Sequence, residues 1–394
     1  MTVTEPLSPD QALAVLLAVV PSPRVQNLPP ERCYGLVAAD DVFAAADLPP
    51  FARAMMDGFA VRSGDAGTTV AVLDEIAAGD GAVRAALAAG HAHPIMTGAP
   101  VPPGADAVVA WEICTRTGNT VQLPEKIKSG ANIVARGAEC AAGRPWLRRG
   151  QVVTPMTVAA AIATGNTELS VCVPPTVAVL TTGSELSDRS GHGLIRDSNG
   201  PMLAALLDHI GIAAERTTVG DDPAALKEYF ERFSDLDAII LTGGVSTGTH
   251  DDVPAVLRQL GATILFHKIE QKPGKPLLIA QRGRQLIFAL PGNPLAVHWC
   301  ACGFVLPALG HLMGKSGALV LGKGRLGAAL SANGDRTWFI PAHLDDAGVV
   351  LPLAPVSSAD LVQPHQANTY LRRDPGVPAL SVGSDVTFIR IGTV

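Results

Sequence analysis

The sequence predicts a multi-domain protein of α/β and β type, built around a doubly wound α/β domain. The chain has 394 residues, and at roughly 100–200 residues per domain this length allows two to four domains. Residues 174–315 alternate strand-like apolar runs with helix-like segments, which is typical of a mostly parallel sheet covered by helices on both faces. Residues 60–121 and 316–394 contain short strand-like runs between Gly and Pro clusters, which indicates smaller β-rich domains.

Composition and charge argue against several classes of protein. Apolar residues make up 47% of the chain and aromatic residues only 4%, so the cores must consist mainly of Ala, Val, Leu and Ile. The net charge is −6, and no block of five or six basic residues occurs. We therefore expect no nucleic-acid binding through a broad basic surface. An anionic small ligand is still compatible with this charge if local cations or backbone N–H groups surround it.

Cysteine usage and apolar runs indicate a cytoplasmic protein without a membrane span. The six cysteines form no Cys-x-x-Cys pair, and their spacing does not suggest a disulfide framework. Cys300 and Cys302 lie in an apolar stretch and are interpreted as buried small side chains. The N-terminal segment lacks the basic region and cleavage site of a signal peptide. Residues 295–313, the longest apolar stretch, include two histidines and a proline, which favours a buried helix.

The first elements indicate a domain that is interrupted by an insertion. Ser8 and Pro9 precede an apolar run at 11–20, which predicts a first helix with Ser8 as its cap. Residues 36–43 are expected to continue this helical part. A second helix is predicted over 154–165, with Pro155 near its start and Gly165 at its end.

The domain boundaries follow from this order. We expect residues 1–45 and 136–173 to form a discontinuous linking domain, with an inserted β-rich domain at 46–135. The predicted strands of the insert lie at 70–73, 107–111 and 120–123.

The α/β domain is predicted over residues 174–315, after the boundary at Pro174 and Pro175. Its predicted strands lie at 177–180, 236–241, 263–266, 277–280 and 285–290, and its helices at 201–209, 223–233, 254–260 and 295–312. A small C-terminal β-domain is predicted over 316–394, with strands at 349–353, 379–382 and 386–391.

Polar and Gly-rich loops follow three of the predicted α/β strands. In an open parallel sheet, ligands bind at the carboxyl ends of the strands. The first loop contains Thr182, Gly183, Ser184 and Glu185; the second contains Gly243, Gly244, Val245 and Ser246; the third contains Pro291, Gly292, Asn293 and Pro294. Consecutive N–H groups of residues 243–248 can form an anion-binding nest. Asn293 suits the N-cap of the last helix, and Pro294 suits its first turn.

A separate turn carries two lysines, in the order Lys272-Pro273-Gly274-Lys275-Pro276. A rigid Pro-Gly turn orients both ammonium groups with little conformational entropy left to lose. A solvated basic turn is the alternative interpretation of this segment alone.

Taken in chain order, these segments resemble the molybdopterin molybdenumtransferase family, which includes the C-terminal part of gephyrin. The segments that carry the resemblance are Pro50-Phe51 with Met56-Asp57-Gly58-Phe59-Ala60-Val61, Thr97-Gly98-Ala99-Pro100-Val101-Pro102-Pro103-Gly104-Ala105-Asp106, Asn132 with Arg136-Gly137, Thr182-Gly183-Ser184-Glu185-Leu186, Gly243-Gly244-Val245-Ser246, Lys272-Pro273-Gly274-Lys275-Pro276 and Leu290-Pro291-Gly292-Asn293-Pro294. They spread over roughly residues 8–315. After Arg336 the chain has Pro341 where the family usually has a second arginine.

The resemblance implies a molybdopterin-binding α/β domain and a homodimer in which this domain of one subunit faces the inserted β-domain of the other. The implied substrates are adenylylated molybdopterin and molybdate, and the implied products are molybdenum cofactor and AMP, with Mg²⁺ assisting. It places the following residues at the site: Asp57, Thr97, Glu185, Asp251, Lys272, Lys275, Pro291 and Pro294.

The chemistry of this set is coherent. Asp57, Glu185 and Asp251 would repel a diphosphate unless a divalent cation lay between them, so they are the expected Mg²⁺ ligands. That ion would polarise the diphosphate. Lys272 and Lys275 suit a tetrahedral dianion such as molybdate.

Two other functions stay open at this point. A molybdopterin-binding scaffold would use the fold without turnover, and a nucleotide pyrophosphatase would use a similar α/β domain without the segment at 97–106. A paralogue that handles tungstate is also compatible with the sequence, since tungstate and molybdate are similar dianions. The expected partners are a second copy of the chain, a molybdopterin adenylyltransferase, and molybdoenzymes or their chaperones.

Overall fold

The computed structural model describes residues 6–79, 81, 84–186, 192–220, 222–244 and 252–392. Packing divides the chain into two compact units, one formed by residues 27–171 and the other by residues 1–26 together with 172–394. The four predicted domains are a finer division than this, and their boundaries stay a prediction.

The chain begins with helix α1 (Pro9–Leu17), followed by strand β1 (Val25–Leu28). The Ser8 side chain accepts a hydrogen bond from the Gln11 N–H at 3.3 Å, and the Gln11 side chain accepts one from the Ser8 N–H at 3.0 Å. These reciprocal bonds are a capping box, which satisfies N–H groups that the first helical turn leaves unpaired. The predicted cap is confirmed, although the helix ends three residues earlier than expected.

The unit at 27–171 is mainly β-structure. Its strands are β2 (Val37–Ala38), β3 (Val42–Phe43), β4 (Arg53–Ala54), β5 (Gly58–Val61), β6 (Thr69–Val72), β7 (His91–Ile95), β8 (Ala107–Ala110), β9 (Thr115–Thr117), β10 (Thr120–Gln122), β11 (Ile133–Val134), β12 (Pro145–Leu147) and β13 (Leu169–Cys172), with helix α2 (Pro155–Ala163) between β12 and β13. Six strands form one sheet in the order β8-β5-β7-β6-β10-β9.

The helical segment expected at residues 36–43 is wrong, because this segment contains the two short strands β2 and β3 instead. Strand β2 pairs with β13, and β3 pairs with β12. The pairing partners are more than 100 residues away in the chain, so long-range packing overrides the local helix propensity of the alanines. Helix α2 was predicted, and the Thr154 side chain caps it by accepting from the Thr157 N–H at 3.1 Å.

The other unit contains the predicted doubly wound α/β structure. Its elements up to residue 312 are β14 (Val177–Thr182), α3 (Asn199–His209), β15 (Ala214–Val219), α4 (Pro223–Arg232), β16 (Ala238–Thr242), α5 (Val253–Gln259), β17 (Thr263–His267), β18 (Gln271–Lys272), β19 (Leu278–Arg282), β20 (Gln285–Leu290), α6 (Pro294–Cys300) and α7 (Leu306–Leu312). The sheet order is β15-β14-β16-β20-β19-β17. Strands β15, β14, β16 and β20 are parallel, and β19 is antiparallel to both neighbours.

Both faces of this sheet are buried. Val177 and Val179 of β14 belong to one hydrophobic cluster, and Ala178 and Leu180 of the same strand belong to another. This alternation places helices on both faces, as a doubly wound sheet requires. Strand β15 was not predicted, because it lies at the sheet edge and its middle residues are polar and partly exposed.

Helices α6 and α7 form a continuous apolar stretch with a π-helical turn, Ala301–Val305, between them. The stretch Pro294–Leu312 is long and apolar enough to cross a membrane, yet 89% of an apolar 18-residue segment within it is buried inside the protein. Cys300 and Cys302 lie in this core. The predictions of a buried helix and of buried cysteines are confirmed.

The remaining residues form a closed β-barrel, as the predicted C-terminal β-domain requires. Its strands are β21 (Leu321–Leu326), β22 (Thr337–Leu344), β23 (Val349–Pro352), β24 (Thr369–Arg373) and β25 (Asp385–Arg390). The order β22-β23-β21-β25-β24 closes through pairing of β24 with β22. The strand expected at 379–382 is wrong, since Leu380 makes only an isolated bridge to Leu330.

One contact with the barrel positions the predicted site. Strand β18 pairs in parallel with β22, and Lys272 lies opposite Trp338 in this register. The segment that carries both lysines of the site is thus attached to the barrel through β22.

Candidate functional site

The three polar loops of the α/β sheet meet at one sheet edge, as predicted. Strands β14, β16 and β20 are parallel neighbours, with Thr181 opposite Thr242 and Thr242 opposite Leu290. The loops after these strands surround a cleft of about 760 Å³, called here the loop cleft. The predicted site residues that line it are Thr182, Gly183, Glu185, Gly243, Gly244, Pro291, Gly292, Asn293 and Pro294.

The second loop is closely packed where it leaves β16. Gly243 has φ +94°, and a Cβ atom there would lie 2.6 Å from the Thr182 Oγ1 atom, so this position requires glycine. The Gly243 N–H donates to the Leu290 carbonyl oxygen at 3.1 Å. The expected anion-binding nest therefore cannot include this N–H group, which the sheet edge already uses. Val245, Ser246 and Asp251 lie outside the described residues.

The first loop brings a carboxylate into the cleft. A Cβ atom placed on Gly183 would lie 2.7 Å from both Glu185 carboxylate oxygens, so that side chain folds back over the Gly183 backbone. Glu185 itself is exposed, and Ser184 lies exposed beside it on the same loop. The Glu185 carbonyl oxygen accepts from the Ile195 N–H at 2.8 Å, which fixes the backbone of the loop.

The loop cleft also contains polar side chains that the sequence did not single out, at the start of α3. The Asn199 Nδ2 atom donates to the Gly292 carbonyl oxygen at 2.8 Å. Because a carbonyl can only accept, this contact fixes the orientation of the amide. The Asn199 Oδ1 atom is buried without a hydrogen-bond partner. Such an unsatisfied oxygen is costly in a folded protein and indicates a place for a donor or a cation.

Asp197 lies beside Asn199 and lines the same cleft. Its carboxylate accepts from the Gly200 N–H at 2.9 Å and from the Thr181 hydroxyl at 3.1 Å. Asp197 therefore joins the start of α3 to the end of β14. The signal in the sequence is an Asp before an Asn-Gly helix start, which looks like an ordinary cap.

The start of α6 is partly covered by the barrel. Asn293 occupies the N-cap position, but its side chain makes no capping bond and instead donates to the Ser358 hydroxyl at 2.8 Å. The Leu295 N–H donates to the Ser358 carbonyl oxygen at 3.0 Å. The predicted capping role of the Asn293 side chain is wrong, because a residue 65 positions later competes for it.

The lysine turn, residues 272–275, lines a second cleft of about 580 Å³ between the α/β sheet and the barrel, called here the lysine cleft. The Lys272 Nζ atom lies 4.5 Å from the centre of the Trp338 ring, which is a cation–π contact. The Lys275 Nζ atom lies 3.8 Å from a Glu270 carboxylate oxygen. Arg336 and Pro341 of the barrel side also line this cleft.

Among the residues that the structure describes, the two lysines therefore differ in their partners. Glu270 offsets part of the charge of Lys275, whereas the indole of Trp338 orients Lys272 without neutralising it. Together with Arg336, these side chains make the cleft cationic.

The two clefts adjoin. Pro276, Pro291 and Asn293 line both of them. A bound molecule can thus extend from one cleft into the other. Its anionic end would lie in the lysine cleft, and its other end would lie among the protein oxygen atoms of the loop cleft.

Asp57 and Thr97 belong to the unit at 27–171, where they form a pair. The Asp57 Oδ1 atom accepts from the Thr97 N–H and from the Thr97 hydroxyl, both at 2.8 Å. These bonds, the backbone one first, hold the pKa of the Asp57 carboxyl below its usual value. Asp57 is exposed, so the carboxylate is charged and accessible at neutral pH.

The comparisons with known proteins agree along the chain. Residues 7–165 match the family model "MoeA N-terminal region (domain I and II)", and residues 178–311 match "Probable molybdopterin binding domain". A molybdopterin molybdenumtransferase of Staphylococcus aureus is 35% identical over 300 residues, which are 72% of this chain and 70% of that protein. One from Staphylococcus epidermidis is 36% identical over 303 residues, or 73% and 71% of the two chains.

The chain belongs to the molybdopterin molybdenumtransferase family. It is accordingly an enzyme with a role in molybdenum cofactor biosynthesis.

Solved structures of this family have the same fold. The crystal structure of the molybdopterin biosynthesis moeA protein from Pyrococcus horikoshii superposes with a TM-score of 0.87 at 26% identity, covering 99% of this chain and all of that one. A crystal structure of a molybdopterin biosynthesis moeA protein from Pyrococcus horikoshii OT3 has a TM-score of 0.79, again at 26% identity, and covers 98% of this chain and 100% of the other. The resemblance inferred from the motifs and the predicted fold class are both confirmed.

The predicted metal ligands of this transferase are distributed over the chain. Asp57 lies in one compact unit and Glu185 in the other, and Asp251 is not among the described residues. Within the described part of the chain, no group of three or more His, Cys, Asp or Glu side chains that could hold a metal ion occurs. The assignment of the three carboxylates to one metal site stays a prediction.

Proposed function

We propose that the protein transfers molybdenum from molybdate to adenylylated molybdopterin and releases AMP, which yields molybdenum cofactor. The observation that supports this reaction best is the pair of adjoining clefts, one cationic and one lined by carboxylate, amide and loop backbone groups. Hydrolysis breaks the P–O–P link between AMP and the pterin: water supplies the oxygen that the released AMP acquires, and the other phosphate stays on the pterin. The pterin ligands that bind molybdenum displace oxo ligands of molybdate, which take up protons and leave as water.

The lysine cleft suits molybdate as a substrate. Lys272, Lys275 and Arg336 provide three cationic side chains along one cleft. A tetrahedral dianion needs several donors but no single planar partner, which ammonium groups satisfy as point charges. Glu270 lies 3.8 Å from Lys275 and Asp335 lies 3.9 Å from Arg336, so each carboxylate offsets part of the charge of its neighbour and Lys272 carries the largest share of the attraction.

The loop cleft suits the diphosphate together with Mg²⁺. Glu185 supplies an exposed carboxylate, and the Asn199 Oδ1 atom is a buried oxygen without a partner. Oxygen ligands of these kinds are the ones that Mg²⁺ prefers, usually with water and phosphate completing the shell. Asp57 and Asp251 are further proposed ligands, on the resemblance to the family. When bound, the ion would polarise the diphosphate and offset its charge.

We also propose a homodimer in which Asp57 of one subunit serves the loop cleft of the other. The unit at 27–171 exposes large apolar side chains that a second copy would cover. Met156 and Ile162 on α2 are 78% and 52% exposed, and Tyr34 and Phe43 are 67% and 51% exposed. A second copy that covered these four side chains would remove apolar surface from water, which is favourable for association.

The proposed substrate and product define the partners. Adenylylated molybdopterin must come from an adenylyl-transferring enzyme, so a molybdopterin adenylyltransferase is the proposed donor. The product is released to molybdoenzymes or to their chaperones, and the proposed location is the cytoplasm.

A turnover assay separates this proposal from its alternatives. Purified protein is given adenylylated molybdopterin and Mg²⁺, with and without molybdate, and both AMP and pterin-bound molybdenum are measured. AMP release together with metal insertion supports the transferase. AMP release without insertion would indicate a pyrophosphatase, and binding without either product would indicate a scaffold.

The same assay with tungstate in place of molybdate tests the choice of metal. We expect insertion of both ions at high concentration, because the lysine cleft offers charge rather than a size-selective cage. Insertion of tungstate alone would contradict molybdate as the substrate.

A further inference from the structure

Gln271, directly before the lysine turn, is a fully buried polar residue with both ends of its amide in use. Its Nε2 atom donates to the Gly274 carbonyl oxygen at 3.1 Å, and its Oε1 atom accepts from the Trp299 Nε1–H at 3.0 Å. The Nε2 atom also lies 3.5 Å from the Cys300 sulfur. Its exposed fraction is 0%. The side chain therefore connects the inside of the turn to helix α6.

The turn is tightly packed against this amide. Gly274 has φ +88°, and a Cβ atom on it would lie 2.5 Å from the Cys300 sulfur and 2.8 Å from the Gln271 Nε2 atom. The left-handed conformation and the close approach both require glycine. The backbone between Lys272 and Lys275 thus packs against the buried side chains of Gln271 and Cys300, which restrict its position.

The anchor on α6 is itself fixed. The Trp299 ring stacks on Phe339 with a centroid distance of 3.7 Å and meets Tyr370 edge-on at 5.0 Å. Trp299 is 1% exposed. Because its indole cannot turn without breaking these contacts, the Trp299 N–H is a rigid reference point for the Gln271 amide.

We propose that Gln271 is a positioning residue of the proposed reaction, which fixes the lysine turn and so sets the affinity of the enzyme for molybdate. This inference rests on the proposed function. Gln271 acts through the Gly274 carbonyl, because both polar ends of its side chain are bound to protein. A displacement of about 1 Å in a site of this kind costs up to about 100-fold in rate. Loss of the two Gln271 hydrogen bonds should therefore have a measurable effect on the reaction.

The test is Gln271→Met, which keeps the volume of the side chain and removes both hydrogen bonds. We expect the KM for molybdate to rise at least about tenfold, while the KM for adenylylated molybdopterin changes less than about twofold. Titration of the protein with tungstate alone, followed by calorimetry, should show the same loss of affinity without any pterin present.

Gln285→Met is the matched control. Gln285 is also a buried amide, 3% exposed, and its Nε2 atom donates to the Phe233 and Leu236 carbonyl oxygens. It lies at the start of β20, the opposite end of that strand from the clefts. Its substitution should lower the Tm, as that of Gln271 does, but leave the KM for molybdate within about twofold of wild type.

Trp299→Phe gives a second measurement that does not depend on the first variant. It removes the donor to the Gln271 Oε1 atom and keeps the bond to Gly274, so we expect a smaller rise in the KM for molybdate. If Gln271→Met fails to fold, this variant decides the question. A molybdate KM equal to wild type in the folded variants would overturn the positioning role. An inactive wild-type enzyme would instead count against the proposed function.

Discussion

The lysine turn and the loop after β14 present opposite charges to adjoining clefts, and the protein holds them in different ways. The turn is fixed by side chains: the buried Gln271 holds its backbone, and the partly buried Trp338 orients the Lys272 ammonium group. In the described part of the loop, the Ile195 N–H holds the backbone at the Glu185 carbonyl oxygen, and the Glu185 carboxylate remains exposed. The cations are therefore preorganised by the fold, whereas the carboxylate is available to a ligand that arrives with its own cation.

The largest effect is expected from removing the charge of the loop. Glu185→Gln keeps the size of the side chain and removes a proposed Mg²⁺ ligand, so AMP release should fall at least about 100-fold. The Tm should change little, because Glu185 is exposed and surface substitutions usually have small effects on stability. Steady-state AMP assays over a range of Mg²⁺ concentrations measure this. Wild-type activity in the variant would remove Glu185 from the site.

A second substitution compares the two lysines of the turn. Lys272→Met should raise the KM for molybdate by about 10-fold to 100-fold, the loss expected for a charged hydrogen bond to an anion. Lys275→Met should raise it only about threefold, since Glu270 already offsets part of its charge. Molybdate titrations of both variants under the same salt conditions provide the comparison. Equal effects would show that the Glu270 contact does not reduce the contribution of Lys275.

A smaller effect is expected at the aromatic partner of Lys272. An exposed cation–π contact contributes about 0.5–1 kcal/mol, so Trp338→Leu should raise the KM for molybdate about twofold to fivefold. Trp338→Phe keeps an aromatic face, so its KM for molybdate should lie between those of the wild type and of Trp338→Leu. The order wild type, Phe, Leu in molybdate affinity tests the contact. Leu behaving like wild type would show that Lys272 is positioned by the turn alone.

The smallest effect concerns pH. The two bonds from Thr97 lower the pKa of Asp57, so they favour the charged carboxylate. Their contribution to the stability of the fold is therefore fully present above the unfolded-state pKa of Asp57. It is lost as the pH falls through the folded-state pKa. Thr97→Val removes the hydroxyl bond and keeps the N–H bond. The Asp57 pKa should therefore rise toward its usual value, and the acidic limb of the pH–activity profile should move to higher pH. NMR titration of the Asp57 carboxyl carbon measures the pKa directly, and an unchanged value would contradict the assigned cause.

The loops at the sheet edge could be predicted from the sequence because strand, turn and helix signals are local. The strands that end at Thr182, Thr242 and Leu290 are apolar runs followed at once by glycine or proline, and parallel pairing then places their ends together. The helix expected at 36–43 failed for the opposite reason. Its strands depend on partners more than 100 residues away.

The lysine cleft shows what local patterns do not contain. Arg336 and Trp338 reach the turn through the pairing of β18 with β22, across about 65 residues of chain. The contact of Gln271 with the turn depends on the N–H of Trp299, which lies in helix α6, before the barrel. In the sequence, Asp197 and Asn199 look like an ordinary helix start. The structure distinguishes them from one, because the Asn199 Oδ1 atom is buried without a hydrogen-bond partner.

The central claim is that carboxylates from the two compact units serve one reaction, with Asp57 supplied by the second subunit. The direct test mixes two inactive variants, Asp57→Ala and Glu185→Ala, under conditions that exchange subunits. Random reassembly makes half of the dimers mixed, and each mixed dimer has one intact site, so AMP release should recover to about a quarter of the wild-type value. No recovery, with mixed dimers demonstrated by mass spectrometry, would contradict the claim.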